Sequence, residues 1–316
     1  MPTHKEGVRM GKSIKHQLIH AIDSNFREGQ DKHSMKRAGY ERQSTIFSFA
    51  DRKNLIDTAA GFANWLKAQE DPPRFLYELR PEHVQGYLSA HAGAWTGATL
   101  KLRASHLRKL EALARATYPN SKVSFTEGVA VPAAASAPCR TVQVSEADYM
   151  RLLDYADQSR SGAKHAPFLS GSCGLRVSEC AKLKGSDISI QADGTATVRV
   201  VDSKGKRSRV ITLNNKDTVS RVAEICRERG EGRVCPVQSD SLNTYLRRAF
   251  HTLGMTEYTA HKTSYHALRK LAAQRHYDAC RQQGLTMKES LARTSVWLGH
   301  GRDRDELMKH YVLDIK

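Results

Sequence analysis

The sequence lacks long apolar runs. No stretch of its 316 residues approaches the ~18 consecutive apolar residues that a membrane-spanning helix needs. The first twenty residues are interrupted throughout by charged side chains and histidines, so they contain no apolar core of a secretory signal. These absences predict a cytoplasmic protein without a membrane partner.

Metal-binding and nucleotide-binding motifs are also missing. The six cysteines form no CxxC pair and no zinc-finger cluster with histidine. The sequence contains no HExxH, no GxxxxGK[ST] loop and no strand–GxGxxG–helix unit. We therefore predict no metal site and, if the protein is an enzyme, chemistry without ATP or another cofactor.

What the chain has is positive charge. Its 50 Lys and Arg residues against 33 Asp and Glu give a formal net charge of +17, in a composition typical of globular proteins. This surplus indicates a polyanionic partner, for which nucleic acid is the first candidate. An anionic membrane fits less well, because the charge is spread along the chain rather than held in one amphipathic helix.

The pattern along the chain predicts four segments. Residues 1–45 form a basic extension with one amphipathic helix, whose apolar positions run from Ile14 to Phe26 at four-residue spacing. We interpret this helix either as a docking arm or as a lid on the next domain. Residues 46–118 read as a helical domain, 119–140 as a linker rich in Pro, Ala, Ser and Gly, and 141–316 as a second domain.

A helix predicted over residues 99–116 has two distinct faces. Leu100, Leu107 and Ala114 form an apolar line at heptad spacing. A parallel basic line supplies our DNA-binding candidates in this domain: Lys101, Arg108 and Arg115. Two interpretations stay open, namely contact with DNA phosphates and a solvated surface, which is the usual role of charge runs.

The second domain is predicted to be mostly helical with a small antiparallel sheet. Two strands, 195–201 and 209–213, form a hairpin whose tip is basic. The tip residues of interest are Lys204, Lys206 and Arg207. Four helices are expected after the hairpin, at about 217–228, 240–253, 267–281 and 288–298.

Four short motifs of the second domain carry chemically useful side chains. They are GLRVSE at 174–179, the lysine-rich hairpin tip, the HxxR pair at 266 and 269, and LGH at 298–300. A tyrosine, Tyr311, follows eleven residues after the last of these motifs. Each motif alone is common in unrelated proteins, but the ordered set is a strong compound signal.

In this order, after a basic helical domain, the motifs resemble those of the tyrosine recombinases, the phage integrase family. The resemblance implies a helical core-binding domain and a mixed α/β catalytic domain that form a C-shaped clamp on DNA. It also implies site-specific recombination through a 3′-phosphotyrosine intermediate and a Holliday junction, by a homotetramer on two DNA sites. Accessory DNA-bending or directionality proteins and a mobile genetic element as source fit the same expectation.

The resemblance also assigns roles to individual residues. Tyr311 would be the nucleophile, Arg176 and Arg269 would hold the scissile phosphate, and Lys204 would be the general acid. Glu179 matches the family's acidic position. The pocket would be completed by two histidines, His266 and His300. These residue types suit the chemistry, because arginine offers phosphate a planar and always charged fork. A tyrosine of pKa ~10 also needs a base such as His266 to attack at neutral pH.

Several alternatives stay open. Lys206 or Arg207 can replace Lys204 as the acid, and Tyr265 and Tyr277 compete with Tyr311. Two other functions fit the same scaffold, namely a type IB topoisomerase-like DNA relaxase and a non-catalytic DNA-binding protein. Only five residues follow Tyr311, so we expect the N-terminal arm rather than a C-terminal helix to contact neighbouring subunits.

Overall fold

The computed structural model describes residues 13–30, 32–41, 43–135, 142–201, 203, 208–262, 264–302 and 304–313. The chain divides into two compact units, Met1–Ala137 and Pro138–Lys316. The three predicted residues of the hairpin tip, Lys204, Lys206 and Arg207, lie outside the described residues.

The first unit is helical. Its helices are α1 (Ile14–Ser24), α2 (Lys32–Arg37), α3 (Phe49–Lys67), α4 (Pro81–Ala90) and α5 (Gly97–Thr117). The sequence sets their beginnings, because Ser48 and Thr96 accept hydrogen bonds from backbone amides of the first turns of α3 and α5, and proline occupies the first turn of α4. The apolar line of α5 is fully buried, as its heptad spacing predicts.

The N-terminal helix α1 belongs to the core of the first unit. Leu18 and Ile22 are fully buried, and α1 packs against α3 and α5. The side-chain amide of Gln17 donates to the carbonyl of Arg74, and its oxygen accepts from the amide of Leu76. Because the apolar face of α1 is used inside its own unit, the structure favours the interpretation of this helix as a lid over that of a docking arm. Contact of the N-terminal arm with neighbouring subunits stays a prediction.

Much of the segment predicted as a linker also packs on the first unit. Val123 and Phe125 are buried in its core. The buried carboxylate of Glu111 on α5 accepts from the amides of Phe125 and Thr126 at 2.5 and 2.6 Å. Composition alone did not reveal this packing, because Val123 and Phe125 are surrounded in the sequence by small and polar residues.

The second unit is mostly helical with a three-stranded antiparallel sheet, which confirms the predicted fold class. Its strands are β1 (Ile188–Ile190), β2 (Ala196–Val200) and β3 (Arg209–Leu213). Its helices are α6 (Glu146–Asp157), α7 (Ala166–Cys173), α8 (Val177–Cys180), α9 (Lys216–Arg229), α10 (Ser239–Thr252), α11 (Ser264–Gln282), α12 (Met287–Trp297) and α13 (Asp305–Met308). The sequence did not predict β1, which has only three residues.

The sheet, in the order β1-β2-β3, has one buried and one exposed face. Val198 pairs with Ile188 on one side and Ile211 on the other, and all three side chains are buried. Arg199 and Val210, which pair with each other, lie on the exposed face. Across the described ranges, no helix combines the length and apolarity needed to cross a bilayer.

Candidate active site

The site begins at the turn between α7 and α8. Gly174 ends α7 with φ of +62°, a conformation that favours glycine, and a Cβ there would lie 2.5 Å from the ring of Trp297. Arg176 follows as the residue that caps α8, and its amide donates to the Glu179 carboxylate at 2.9 Å. The GLRVSE segment thus turns the Arg176 and Glu179 side chains toward each other.

The Glu179 carboxylate is the buried centre of the site. It accepts from Nη1 and Nη2 of Arg209 at 2.9 Å each, from Nη1 of Arg176 at 2.8 Å and from the Ser203 hydroxyl at 2.5 Å. Burial alone would raise the pKa of Glu179. The hydrogen bonds and positive charge of Arg209, followed by hydrogen bonds from the Ser203 hydroxyl and the Arg176 backbone amide, outweigh burial. They hold this pKa well below its usual range, so the carboxyl is ionised.

Arg269, on α11, is buried and fixed by backbone carbonyls. Its guanidinium donates to the carbonyls of Gly174 and Leu298, and only 2% of the residue is exposed. Its Nε has no hydrogen-bond partner among the described residues. Burial, followed by repulsion from Arg176, lowers the pKa of Arg269 to about 10, so the group stays charged at neutral pH.

His300 lies between the arginines and the tyrosine. Its Nε2 is 3.4 Å from Nη2 of Arg176, 3.5 Å from Nη2 of Arg269 and 3.3 Å from the Tyr311 hydroxyl oxygen. Because a guanidinium can only donate, this nitrogen accepts, which places the proton of the neutral ring on Nδ1. Burial and then the charges of Arg269 and Arg176 lower the pKa of His300 to about 3.

Tyr311 packs against the same pocket. The residue is 4% exposed, and its ring lies 5.9 Å from the guanidinium carbon of Arg269. The ring of His266 meets the Tyr311 ring edge-on with centroids 4.9 Å apart. The two histidines therefore differ in position, since His300 contacts the hydroxyl of Tyr311 while His266 contacts its ring.

The structure brings six of the predicted site residues together: Arg176, Glu179, His266, Arg269, His300 and Tyr311. Sequence reasoning missed Ser203 and Arg209, which both bond Glu179. A signal for Arg209 existed in its place at the base of the predicted hairpin, but this position reads equally well as an ordinary strand residue.

The predicted DNA-binding residues of α5 lie in the first unit. Lys101 is exposed. Arg108 donates to the carbonyl of Val129 at 3.4 Å, and Arg115 donates to that of Val123 at 2.7 Å and pairs with Glu111. Two of the three cations thus also hold the segment that follows α5.

The pocket combines groups suited to a phosphodiester. Three guanidinium groups and one carboxylate carry a net charge of +2, beside a tyrosine hydroxyl and a neutral imidazole. Such preorganised donors stabilise charge that develops on phosphate oxygens. In the described part of the chain, no three His, Cys, Asp or Glu side chains gather as ligands for a metal ion.

Comparison with known proteins identifies the domain that contains the site. Residues 143–280 match the model of the phage integrase family, a range that contains Arg176, Glu179, Arg209 and Arg269. The second unit therefore carries a domain of this family, the tyrosine recombinases. This domain identifies the protein as a DNA strand-breaking and rejoining enzyme. No curated protein matches the chain significantly.

Solved structures of tyrosine recombinases share the fold at low identity. The XerH site-specific recombinase bound to palindromic difH substrate, a post-cleavage complex, is 15% identical with a TM-score of 0.65, covering 96% of this chain and 91% of that one. The Tn1549 transposon integrase in complex with transposon right end DNA is 13% identical, with a TM-score of 0.58 and 96% of both chains covered. A lambda integrase tetramer bound to a Holliday junction is 15% identical, with a TM-score of 0.58, covering 96% of this chain and 78% of that one.

Proposed function

We propose that this tyrosine recombinase is a site-specific enzyme that cleaves DNA through a 3′-phosphotyrosine bond to Tyr311, without a metal or ATP. One observation carries the proposal. The Nε2 atom of His300 lies within 3.5 Å of the Tyr311 hydroxyl and of the guanidinium groups of Arg176 and Arg269. The candidate base, His300 Nε2, therefore lies in reach of both the nucleophile and the two phosphate-binding groups.

DNA binding would itself prepare the base. In the free pocket, three donors compete for the single lone pair of His300 Nε2. Non-bridging oxygens of a scissile phosphate are better acceptors for guanidinium groups than a neutral imidazole. When these oxygens take the donors of Arg176 and Arg269, the lone pair of His300 is left to the Tyr311 hydroxyl.

The same event favours proton transfer to His300. The charges of Arg269 and Arg176 help to lower the pKa of His300 to about 3, and a phosphate anion between these groups offsets those charges. A higher pKa makes the ring a stronger base toward a tyrosine whose ordinary pKa is ~10. We therefore assign the base to His300, and to His266 the edge-on contact that orients the Tyr311 ring.

The cleavage step needs a second proton transfer, to the 5′ oxygen that leaves. The Tyr311 oxygen forms a bond to phosphorus, the bond from phosphorus to the 5′ oxygen breaks, and the tyrosyl proton passes to His300. The 5′ oxygen takes a proton from Lys204, with Lys206 or Arg207 as alternatives. Ser203, the residue before Lys204, is bonded to Glu179. The phosphotyrosine bond conserves the energy of the phosphodiester bond that was cut. A 5′-hydroxyl can therefore attack it and rejoin the strand without ATP.

Assembly and target follow from family likeness. By analogy with the lambda integrase tetramer on a Holliday junction, we propose a homotetramer that acts on two sites in double-stranded DNA. Lys101, Arg108 and Arg115 would contact phosphates and contribute affinity without sequence preference. The protein would be cytoplasmic and associated with the nucleoid. The Tn1549 transposon integrase among the structural matches favours a mobile genetic element as its source.

Covalent capture tests the proposal. Purified protein is mixed with sheared DNA from its source and quenched with detergent, and the attached DNA is sequenced, with Tyr311→Phe as control. We expect adducts at one or a few sites that are absent with the control. DNA binding without adducts would instead support a non-catalytic protein. A plasmid with two recovered sites should yield recombinants, whereas relaxation alone would support the topoisomerase-like alternative.

A further inference from the structure

Arg209, the first residue of β3, is the pocket arginine that no motif singled out. Its Nη1 and Nη2 donate to the two carboxylate oxygens of Glu179 at 2.9 Å each, which is the bidentate geometry of a strong ion pair. Its Nε donates to the carbonyl of Trp297 at 3.1 Å. All three guanidinium nitrogens of Arg209 are thus bonded to the protein.

Arg176 is bonded differently. Its Nη1 donates to Glu179 and Ser203, but its Nη2 faces His300 at 3.4 Å, a long and weak contact that a phosphate oxygen can replace. Arg176 and Arg209 therefore share the Glu179 carboxylate. Of these two arginines, only Arg176 has a nitrogen turned toward His300, which contacts the Tyr311 hydroxyl. This division assigns substrate contact to Arg176 and support to Arg209.

Charge gives Arg209 its first task. The Glu179 carboxylate lies 2.8 Å from Arg176 and 4.0 Å from Arg269, so without another cation it would cancel half of the charge that meets the phosphate. The paired Arg209 compensates this anion. In its absence, Glu179 would hold the Arg176 guanidinium more tightly and keep it from aligning with the scissile phosphate.

Geometry gives Arg209 a second task. The Trp297 carbonyl that it binds is followed by the Leu298 carbonyl, which binds Arg269, and then by Gly299 and His300. The chain packs closely there, because a Cβ on Gly299 would lie 3.2 Å from Cδ and Nη1 of Arg209. One side chain thus joins β3, the α8 carboxylate and the turn that carries His300.

We propose that Arg209 is a positioning residue for DNA cleavage. It neutralises Glu179 and ties the His300 turn to the sheet, so that Arg176 and His300 are free and aligned for the phosphate and the Tyr311 hydroxyl. This inference rests on the proposed function, because its readout is the cleavage rate.

The test compares Arg209→Gln and Arg209→Lys in the wild type and in a Glu179→Gln background. The matched control is Arg199→Gln, since Arg199 on the adjacent strand β2 pairs with Asp187 but is largely exposed. The measurements are the single-turnover rate of covalent adduct formation on a recovered DNA site, the affinity for that DNA and the melting temperature.

We expect Arg209→Gln to slow adduct formation about 10–100-fold, as is typical for residues that orient an active-site group, with DNA affinity unchanged within threefold. Arg209→Lys, which keeps the charge, should recover part of the rate, and Arg199→Gln should match the wild type. In the Glu179→Gln background, where no anion needs compensation, adding Arg209→Gln should cost less than it does in the wild type, because only the tie to the Trp297 carbonyl is then lost. The acid limb of the pH–rate profile should move to higher pH in Arg209→Gln, because the charge of Arg209 also helps to keep His300 unprotonated.

Three results would overturn the inference. They are a wild-type rate in Arg209→Gln, a loss of equal size in both backgrounds, and a fall in DNA affinity parallel to that in rate. If Arg209→Gln does not fold, the comparison of Arg209→Lys in the two backgrounds decides. A wild-type protein that forms no adduct, or an adduct that survives Tyr311→Phe, would instead contradict the proposed function.

Discussion

The arginines of the pocket and the basic residues of α5 are the same kinds of side chain in opposite surroundings. In the pocket, Arg269 is buried and only 11% of the Arg209 side chain is exposed, and their partners come from segments 29 to 95 residues away in the chain. On α5, Arg108 and Arg115 are exposed and reach carbonyls only 21 and 8 residues away. Distant partners in a closed pocket fix the direction of a guanidinium, whereas local partners at the surface leave it adaptable.

The difference has a consequence for function. A cation held from several sides inside a pocket is already oriented toward the atoms on which charge develops, so little reorganisation accompanies the reaction. An exposed cation on a helix contributes mainly charge, which salt screens. We therefore expect substitutions in the pocket to slow the chemistry strongly or lower the stability of the fold, and substitutions on α5 to weaken DNA affinity slightly for all sequences.

The largest effect is expected for Glu179→Ala. This change leaves three guanidinium groups around a site that has lost its anion, and breaking a buried pair in this way lowers the free energy of unfolding by about 3–5 kcal/mol. Chemical denaturation measures it. Glu146→Ala is the control, because this exposed glutamate pairs with Arg275 at the surface and should change stability by less than about 1 kcal/mol. Equal losses in the two variants would contradict the contrast.

Arg176→Lys should slow adduct formation by about 10²–10³-fold, since a point charge does not replace a planar fork on the phosphate. The protein should still fold and bind DNA. The rate of adduct formation in single turnover measures the effect. Arg115→Lys serves as the control on α5, where a lysine keeps the charge, and its rate should stay within threefold of the wild type. A comparable loss in both would place Arg115 in the chemistry.

The pH dependence of stability should also report the surroundings of His300 in the pocket. Burial and the neighbouring arginines lower the pKa of His300 in the folded protein to about 3, below the ordinary value near 6.5. As the pH falls from about 6.5 toward 3, His300 binds a proton in the unfolded chain but not in the folded one, so the free energy of unfolding declines. Denaturation at pH 7, 6, 5 and 4 should show a shallower decline for His300→Gln.

Other histidines should make the stability of His300→Gln still decline as the pH falls. The pKa of the buried His276 is lowered to about 4, and those of His106 and His165 are also lowered, in each case first by burial. A decline identical to that of the wild type would mean that His300 titrates normally and does not face the arginines.

The smallest effects are expected on α5. Replacing Lys101, Arg108 and Arg115 together by alanine should weaken binding to every DNA sequence. The slope of the salt dependence should flatten by about 0.9 for each DNA phosphate that the variant no longer neutralises. An effect on one sequence alone would mean that these residues read bases. Arg115→Ala alone should also destabilise the first unit by about 1 kcal/mol, because it removes the bond to Val123, whereas Lys101→Ala should not.

The sequence could predict features that depend on local order. Heptad spacing was enough to place Leu100, Leu107 and Ala114 in the core, and the bounds of the four late helices agree with the structure within three residues. The ordered motifs were enough to identify the phage integrase domain. These signals need only the spacing between residues or their succession along the chain.

Features that depend on tertiary contacts could not be predicted. An amphipathic helix such as α1 has the same pattern whether its apolar face meets its own domain or a second subunit. The role of Arg209 depends on Glu179 and Trp297, 30 and 88 residues away, and no local pattern encodes these bonds. His300 instead of His266 contacts the hydroxyl because of the turn after α12, which the HxxR motif does not describe.

Identifying the residue that is covalently joined to DNA tests the role of the pocket most directly. The captured adduct is digested with nuclease and trypsin, and the peptides that retain a nucleotide are sequenced by mass spectrometry. We expect the nucleotide on Tyr311, in the tryptic peptide of residues 310–316. A nucleotide on Tyr265, Tyr277 or any other residue would contradict the assignment of Tyr311 as the nucleophile.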